Sequence, residues 1–458
     1  MPLAHPTDGV ADVSEGDGRD RPRRRVPRAR PRIVHPPRRR VPPDPLASGA
    51  LVTRRVGRRG RRVTRADLRV SRGRTLLPDG SFAAKDVVVV DGRIAALEAP
   101  AREPNGSAEV DARGLLVVPG FVDTHVHGAL GRNFMEGSTD AATVIGGFLV
   151  RHGVTSVVAA TASLPSPVFE ESIAPLRSLV GRGPTGLDVL GVHLEGPFLN
   201  PRRRGVHRAD AVRDPDIAEL RRLVTVLGDS LTIVTLAPET PHGLDAVRTL
   251  VRAEVSVSIG HSDADGAATR AAVAAGATRA THLFNAMPER RGDSLVSAVL
   301  ADPRVRVEII VDGRHVPPEV VAAVYREVGA ERVVVVSDGS DGTGLPDGHH
   351  RRWEGTDVVI SDGTSSTPEG TLAGSITPLD AALRVLVDRA GVPLADALRS
   401  LSSTPAASIG ARHKGSIRVG ADADLVLLDD TLAVVATIAG GRLVHRRPGP
   451  RGATPVST

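Results

Sequence analysis

The sequence has no cysteine, one tryptophan, one tyrosine and only two lysines, Lys85 and Lys414, among 458 residues. Without cysteine there can be no disulfide bonds, thiolate metal ligands or cysteine nucleophiles. Any bound metal must therefore be held by histidine and carboxylate side chains. No apolar run approaches the roughly 18 residues needed to cross a bilayer. The first residues are rich in Arg and Pro and do not resemble a secretory signal. We therefore expect a cytoplasmic protein that does not enter a membrane.

Positive charge is concentrated at the start of the chain. Residues 1–74 contain 21 arginines against seven Asp and Glu, a net charge of +14, so the remaining 384 residues carry about −8 of the total +6. Residues 1–64 have no apolar period, which predicts a disordered tail, and residues 448–458 are expected to form a second one. A nucleic-acid-binding arm is the alternative, but no aromatic residues are interleaved with the arginines as stacking platforms. We therefore do not expect a nucleic-acid partner.

Short β-type runs occur near both ends of the chain. Residues 68–70, 86–90 and 94–97 are short β-type runs, and an Asp91-Gly92 turn pair separates the last two. A matching pattern returns at residues 415–428 and 433–438. We predict that the two ends build one small β-sandwich domain from residues 65–118 and 408–447.

Eight Val-, Ile- or Leu-rich runs lie between these ends, separated by helix-like stretches at 141–151, 217–227, 267–275 and 318–328. Such runs are typical of parallel strands that are covered on both faces. Eight alternations predict an α/β fold, a (β/α)8 TIM-like barrel, over residues 119–407. The eight runs are 115–123, 155–160, 187–194, 231–236, 255–259, 280–283, 305–311 and 332–337.

Histidines and carboxylates recur where these runs end, which is the rim at which barrel enzymes carry their active sites. His125 and His127 are two residues apart, so in an extended strand both imidazoles point to the same side and can reach one ion. Alone, the pair is better explained as two solvated or hydrogen-bonded histidines. The segments at the strand ends are Asp123-Thr124-His125-Val126-His127, His193-Leu194-Glu195-Gly196, Gly260-His261-Ser262-Asp263, Thr281-His282-Leu283-Phe284-Asn285, Asp312-Gly313-Arg314-His315 and Ser337-Asp338-Gly339.

The segment Pro119-Gly120-Phe121-Val122-Asp123 precedes the histidine pair, and together they resemble the amidohydrolase superfamily. Two further segments, His193-Leu194-Glu195-Gly196-Pro197-Phe198 and Thr281-His282-Leu283-Phe284-Asn285-Ala286-Met287, resemble the N-acetylglucosamine-6-phosphate deacetylases. This resemblance extends over about residues 65–447, with the motifs in the same order and spacing.

The resemblance implies a divalent metal. Many binuclear relatives bridge two metals with a carbamylated barrel lysine, but both lysines of this chain lie outside the barrel. Glu195, with His261 and His282, is the expected ligand set, and these three leave an open position for water. A second ion beside Asp123, His125 and His127 is an open alternative, because only some relatives retain the His-x-His pair. Zinc is the expected metal, with iron or manganese as alternatives.

The resemblance also implies roles for residues of the substrate site. Asp338 would accept the proton of the attacking water and pass it to the leaving amine. His207, next to Val206, would polarise the acetyl carbonyl. In the family, an arginine of the neighbouring subunit reaches the substrate phosphate. The resemblance therefore implies a homodimer. Either Arg290 or Arg291 is the candidate arginine. The remaining substrate-binding candidates are Asn285, Ala286, Asp312, His315, Leu372, Ala373 and Gly374.

The predicted activity is hydrolysis of N-acetylglucosamine 6-phosphate to glucosamine 6-phosphate and acetate, in amino-sugar catabolism and cell-wall recycling. The galactosamine epimer or another amidohydrolase substrate is the enzymatic alternative, since these motifs do not specify the orientation of one hydroxyl. A metal-free barrel that serves as an assembly module is the non-enzymatic alternative.

Overall fold

The computed structural model describes residues 67–100, 108–288 and 292–448. The predicted tail at residues 1–64, nearly all of the one at 448–458, and both candidate arginines, Arg290 and Arg291, lie outside these ranges. Within them, no helix is at once long and apolar enough to cross a membrane.

Most strands in these ranges are short. They are β1 (Leu68–Ser71), β2 (Arg74–Leu76), β3 (Phe82–Ala84), β4 (Asp86–Val90), β5 (Arg93–Glu98), β6 (Ala108–Asp111), β7 (Leu116–Pro119), β8 (Phe121–Val126), β9 (Gly128–Ala129), β10 (Arg132–Asn133), β11 (Val154–Thr161), β12 (Gly181–Arg182), β13 (Asp188–Glu195), β14 (Leu231–Leu236), β15 (Ser256–Ile259), β16 (Arg279–Ala280), β17 (Arg306–Ile310), β18 (Val333–Val336), β19 (Gly348–Arg351), β20 (Asp357–Ser361), β21 (Thr364–Ser366), β22 (Leu425–Leu428), β23 (Val434–Ala439) and β24 (Arg442–Arg446).

The α-helices of the described chain lie mainly between the barrel strands. They are α1 (Thr139–Arg151), α2 (Val168–Ile173), α3 (Ile217–Leu227), α4 (Gly243–Arg252), α5 (Gly266–Ala275), α6 (Leu295–Ala301), α7 (Pro318–Val328), α8 (Leu379–Arg384), α9 (Leu394–Leu401) and α10 (Ser403–Ser408). Aspartates begin two of them: Asp216 accepts hydrogen bonds from backbone N–H groups in the first turn of α3, and Asp265 does the same for α5.

The predicted (β/α)8 barrel is confirmed. Eight parallel strands follow one another in the order β8, β11, β13, β14, β15, β16, β17 and β18. The ring closes between its first and last strands, where the N–H of His127 donates to Gly339 O at 2.8 Å and that of Asp338 donates to His125 O at 2.9 Å. All eight residues of β11 are buried, as expected for a parallel strand covered on both faces.

The prediction of one strand over residues 115–123 is wrong, because this run is two strands. β7 belongs to a sheet of the small domain, and the barrel begins only at β8. The chain changes sheets at Gly120, whose N–H donates to Asp424 O at 2.8 Å. A Cβ at Gly120 would lie 2.2 Å from Thr155 Oγ1, so this close approach requires glycine.

The small β-domain is built from both ends of the chain, as predicted. One sheet has the order β5-β4-β1-β6, and the other, β24-β23-β22-β7-β2-β3, pairs strands from the two ends. Their side chains share one apolar cluster, in which Val87 and Val117 pack with Leu425 and Ile438.

A three-stranded sheet, β19-β20-β21, is inserted after the last barrel strand and was not predicted. It follows Asp338 in the chain and carries the hairpin turn at residues 352–355. The N–H of Arg352 donates to Thr356 O at 2.8 Å, which closes this turn.

Candidate active site

Three strand ends of the barrel carry residues in the left-handed backbone region. His261, His282 and Asp338 have φ angles of 47°, 29° and 45°. Residues other than Gly, Asn and Asp rarely adopt this conformation, which costs of the order of 1–3 kcal/mol for each of the two histidines and concentrates at functional sites. The strain marks the rim at which these three side chains meet.

Glu195, His261 and His282 converge through one atom each. Glu195 Oε1 lies 3.1 Å from Nε2 of His261 and 3.1 Å from Nε2 of His282, and the two imidazole nitrogens are 3.0 Å apart. All three side chains are buried. The predicted ligand set is therefore assembled from the ends of β13, β15 and β16.

The donor set fits a divalent cation. His261 Nδ1 lies 2.8 Å from the carbonyl oxygen of Arg203, so Nδ1 carries the proton and Nε2 presents a lone pair. That lone pair faces a carboxylate oxygen and a second imidazole nitrogen. Ligands about 2.0–2.1 Å from a tetrahedral zinc are about 3.3 Å apart, close to the separations here. Burial lowers the pKa of His261 to about 4, which keeps it neutral as a ligand must be.

A second group of possible metal ligands lies beside the first and consists of His125, His127 and Asp338. Asp338 Oδ1 is 3.1 Å from His127 Nε2 and 3.4 Å from His125 Nε2. Glu195 connects the groups, since its Oε1 lies 3.4 Å from His125 Nε2 and its Oε2 lies 3.4 Å from His127 Nε2.

The structure does not bring Asp123 into this group, contrary to the predicted second ligand set. Asp123 Oδ2 accepts the hydroxyl hydrogen bond of Ser337 at 2.6 Å, and Oδ1 accepts from the N–H of His125 at 3.3 Å. Burial raises the pKa of Asp123 to about 6, although these hydrogen bonds partly offset it. Asp123 therefore joins two strand ends, and the carboxylate that faces the histidine pair is that of Asp338.

Glu308 contacts one residue of each group and was not predicted from the sequence. Its Oε1 lies 2.7 Å from His125 Nδ1 and accepts from the backbone N–H of His282 at 3.2 Å, while Oε2 accepts from Arg279 at 3.0 Å. Burial raises the pKa of Glu308, but the attraction of His125 and Arg279 outweighs it and lowers the pKa to about 2. Glu308 lies within strand β17 and not at a strand end, so the sequence pattern did not identify it as a site residue.

Asp338 is held as a carboxylate. Burial raises its pKa, but attraction to His125 and the hydrogen bond from His127 outweigh burial and hold the pKa well below its usual range. An unprotonated carboxylate is the form needed to accept a proton.

His207 lies next to the metal group. The backbone N–H of Ser163 donates to His207 Nδ1 at 3.1 Å, so in the neutral ring the proton resides on Nε2. That Nε2 is 3.2 Å from Glu195 Oε2. His207 therefore presents an N–H donor at the centre of the site.

His315 lies at another part of the cavity wall, where Asp312 holds it. Asp312 Oδ2 accepts from Nδ1 of His315 at 2.6 Å, which leaves Nε2 as the ring atom available to a ligand. Burial raises the pKa of Asp312, but the hydrogen bond and charge of His315 outweigh it and lower the pKa to about 2. Asn285 and Ala286 line the same cavity.

One cavity of about 360 Å³ joins these features, a volume within the range of small-molecule sites. Ala373 does not line it but holds the loop, because its N–H donates to Ser365 O at 2.9 Å. The predicted residues that line the cavity are His127, Glu195, Val206, His207, His261, His282, Asn285, Ala286, His315, Asp338, Leu372 and Gly374.

Several residues that the sequence reasoning missed also line this cavity. The loop around Gly205 contributes three of them, Arg202, Arg203 and Arg208. The run Arg202-Arg203-Arg204 beside the Gly205-Val206-His207 motif was a signal that could have identified them. Arg352 and Glu354 come from the unpredicted hairpin and had no such signal.

Comparison with known proteins agrees with this geometry. The model of the amidohydrolase family matches residues 116–444. An N-acetylgalactosamine-6-phosphate deacetylase of Escherichia coli O157:H7 is 35% identical over 373 residues, 81% of this chain and 97% of that protein. An N-acetylglucosamine-6-phosphate deacetylase of Homo sapiens is 33% identical, with 86% of this chain and 95% of that protein covered.

The fold is also similar to solved structures. A point mutant of the N-acetyl-D-glucosamine-6-phosphate deacetylase of Mycobacterium smegmatis, in complex with N-acetyl-D-glucosamine-6-phosphate, superposes with a TM-score of 0.77 at 34% identity. The match covers 83% of this chain and 99% of that one.

Proposed function

Because this chain belongs to the amidohydrolase family, we propose that it hydrolyses the acetamide of N-acetylglucosamine 6-phosphate to glucosamine 6-phosphate and acetate. The observation that carries the proposal is the convergence of Glu195, His261 and His282 in one cavity with Asp338. The relatives at 35% and 33% identity are named as deacetylases of amino-sugar phosphates, which supports this class of substrate.

Glu195, His261 and His282 would hold a divalent metal, with zinc proposed over iron or manganese. Such an ion lowers the pKa of a bound water to about 7 and polarises a carbonyl. His125, His127 and Asp338 would hold a second ion if two are bound.

Asp338 is proposed to move the proton. As a buried carboxylate it accepts a proton from the attacking water and donates it to the amine nitrogen when the carbon–nitrogen bond breaks. One water is consumed, acetate takes the hydroxyl oxygen, and the sugar amine takes the proton. His207, with its proton on Nε2, donates to the acetyl oxygen as negative charge develops there.

The phosphate is proposed to bind at the wall formed by Asn285, Ala286 and His315. Asp312 fixes the His315 ring through Nδ1, so Nε2 meets the ligand. Arg290 or Arg291 of a neighbouring copy would complete the site in a homodimer, since an arginine fork suits phosphate.

N-acetylgalactosamine 6-phosphate is the second candidate substrate. The E. coli relative with that specificity is 35% identical over 97% of its length, as similar as the glucosamine enzymes. The two sugars differ in the orientation of one hydroxyl. Comparing kcat/KM on both distinguishes them, and a preference for the galacto epimer would overturn the first substrate.

The function is tested by metal content and turnover measured together on purified protein. We expect one or two ions of zinc, iron or manganese per chain and release of acetate from N-acetylglucosamine 6-phosphate. Protein that binds none of these metals and is not activated by adding them would instead be the metal-free assembly module.

A further inference from the structure

The hairpin between β19 and β20 places a charged pair in the wall of the cavity. Arg352 and Glu354 line the cavity beside Asp338, and their side chains are only 4% and 5% exposed. Arg352 Nε lies 2.9 Å from Glu354 Oε1 and 3.4 Å from Asp341 Oδ1. Neither side chain has a role in the proton transfer or phosphate binding described above.

Hydrogen bonds fix the backbone of the hairpin that carries the pair. The N–H of Gly355 donates to Arg352 O at 2.9 Å within the turn, and Asp341 Oδ2 accepts from the N–H of Trp353 at 2.7 Å. Asp341 follows Asp338 by three residues, so this bond ties the hairpin to the loop that carries the proposed proton-transfer group. A site held in this way is preorganised for a ligand.

Two atoms of the pair lack a hydrogen-bond partner among the described residues: Arg352 Nε, which contacts Glu354 Oε1 as an ion pair, and Glu354 Oε2. Glu354 Oε2 is buried and has no hydrogen-bond partner among the residues that the structure describes. A buried acceptor without a donor costs of the order of 1–3 kcal/mol, and a charged one more. An unpaired carboxylate oxygen in a cavity wall is therefore suited to accept a hydrogen bond from a ligand hydroxyl.

The position of the pair points to one end of the cavity. Arg352 Nε lies 3.4 Å from Asp341 Oδ1, three residues after Asp338, and both Arg352 and Glu354 line the same cavity as Asp338 and Glu195. Asp338 and Glu195 belong to the reacting end, whereas Asp312 and His315 lie at the proposed phosphate wall. The pair therefore faces the part of a sugar that carries the acetamide.

We propose that Glu354 and Arg352 bind a hexose hydroxyl on a ring carbon next to the one that bears the acetamide. Glu354 Oε2 accepts the hydroxyl hydrogen, and the ion pair of Arg352 with Oε1 stabilises the charge of the Glu354 carboxylate. This inference rests on the proposed function, because it assumes an N-acetylhexosamine phosphate in the cavity. It assigns sugar recognition to a hairpin inserted after the eighth barrel strand.

The test combines variants with substrate analogues. Wild type and Glu354→Gln are assayed on N-acetylglucosamine 6-phosphate and on its 1-, 3- and 4-deoxy forms. With the full substrate we expect Glu354→Gln to lower kcat/KM about 10- to 100-fold. With the 1-deoxy or the 3-deoxy form, whichever lacks the bound hydroxyl, the variant should lose less than threefold. Both hydroxyls are common to the gluco and galacto sugars, so the ratio of kcat/KM on the two epimers should not change.

Matched controls lie on the same hairpin. Arg351 is adjacent to Arg352 but 71% exposed, and it pairs with Asp357, which is 65% exposed. Arg351→Met and Asp357→Asn should leave kcat/KM within twofold, while Arg352→Met should behave as Glu354→Gln. If Glu354→Gln folds poorly, Glu354→Asp is tested in the same way, since it keeps the charge but is one methylene shorter.

An equal loss on all four compounds would overturn the inference, because a purely structural ion pair predicts that result. A loss that disappears only with the 4-deoxy form would also overturn it. These outcomes differ from failure of the proposed function, which would be seen as absent turnover by the wild-type protein.

Discussion

Glu308 Oε1 lies 2.7 Å from Nδ1 of His125, a residue 183 positions earlier in the chain. The same oxygen accepts from the backbone N–H of His282. One carboxylate thus contacts a residue of each candidate metal group. Because Glu308 holds the Nδ1 proton of His125, Nε2 of that ring is left facing Glu195 and Asp338.

Replacing this carboxylate should weaken metal binding. Glu308→Gln keeps the shape but loses the charge that orients His125 and faces Arg279. Substitution of such supporting groups typically costs about 10- to 100-fold in metal affinity or activity. Metal content after dialysis against increasing chelator concentrations measures the effect.

The matched control is Glu331→Gln, since the Glu331 side chain is 70% exposed and pairs with Arg399. It should retain metal as the wild type does. Equal retention by Glu308→Gln would show that His125 does not depend on this contact for metal binding.

Asp338→Asn should lower kcat by about 10²- to 10⁴-fold, because an amide cannot accept the water proton. Asp338 also faces His127 at 3.1 Å, so metal per chain must be counted in the same preparation. Exposed Asp347 provides the control substitution, Asp347→Asn. Full activity in Asp338→Asn would remove this residue from the proton path.

Metal removal should abolish turnover and lower the thermal midpoint. Without an ion, the lone pairs of His261 and Glu195 oppose each other, and a ligand at 100 times its Kd adds about 2.7 kcal/mol to stability. Re-addition of zinc, iron or manganese should restore both. Unchanged activity and midpoint after complete chelation would contradict the metal assignment.

The contact between Asp312 and His315 should make stability depend on pH. The folded-state pKa of Asp312 is lowered from 3.8 to about 2, so its contribution is fully present above about pH 4 and is lost as pH falls through about 2. The shift corresponds to about 2 kcal/mol for this 3%-exposed side chain.

Urea unfolding of wild type and Asp312→Asn measures this contribution. The free energies of unfolding should differ by up to about 2 kcal/mol between pH 5 and 7, and the difference should shrink below pH 4. Asp357→Asn, at an exposed pair, should change stability by less than about 1 kcal/mol. If the difference in the free energy of unfolding grew as pH fell, the folded-state pKa of Asp312 would not be lowered.

Local sequence patterns predicted much of this architecture. Runs rich in apolar residues, such as the predicted 155–160, are typical of strands covered on both faces, and their spacing leaves room for helices between them. The exception was the run at 115–123, because apolar character continues through Gly120 while the chain passes from one sheet to another.

Residue chemistry also indicated which side chains would meet at the rim. A chain without cysteine must use histidine and carboxylates for a metal, and residues at the ends of parallel strands share one edge. Glu195, His261 and His282 are brought together there. Arg290 and Arg291, the candidates for phosphate, remain predictions.

Other relationships were decided only by the tertiary structure. Asp338, not Asp123, faces the histidine pair, because closure of the barrel brings Asp338 within 3.1 Å of a residue 211 positions away. Glu308 and Glu354 had no local signal, since one lies within a strand and the other on an inserted hairpin. Periodicity along a chain determines which face a side chain occupies, but the distance between two faces depends on how the strands close around the core.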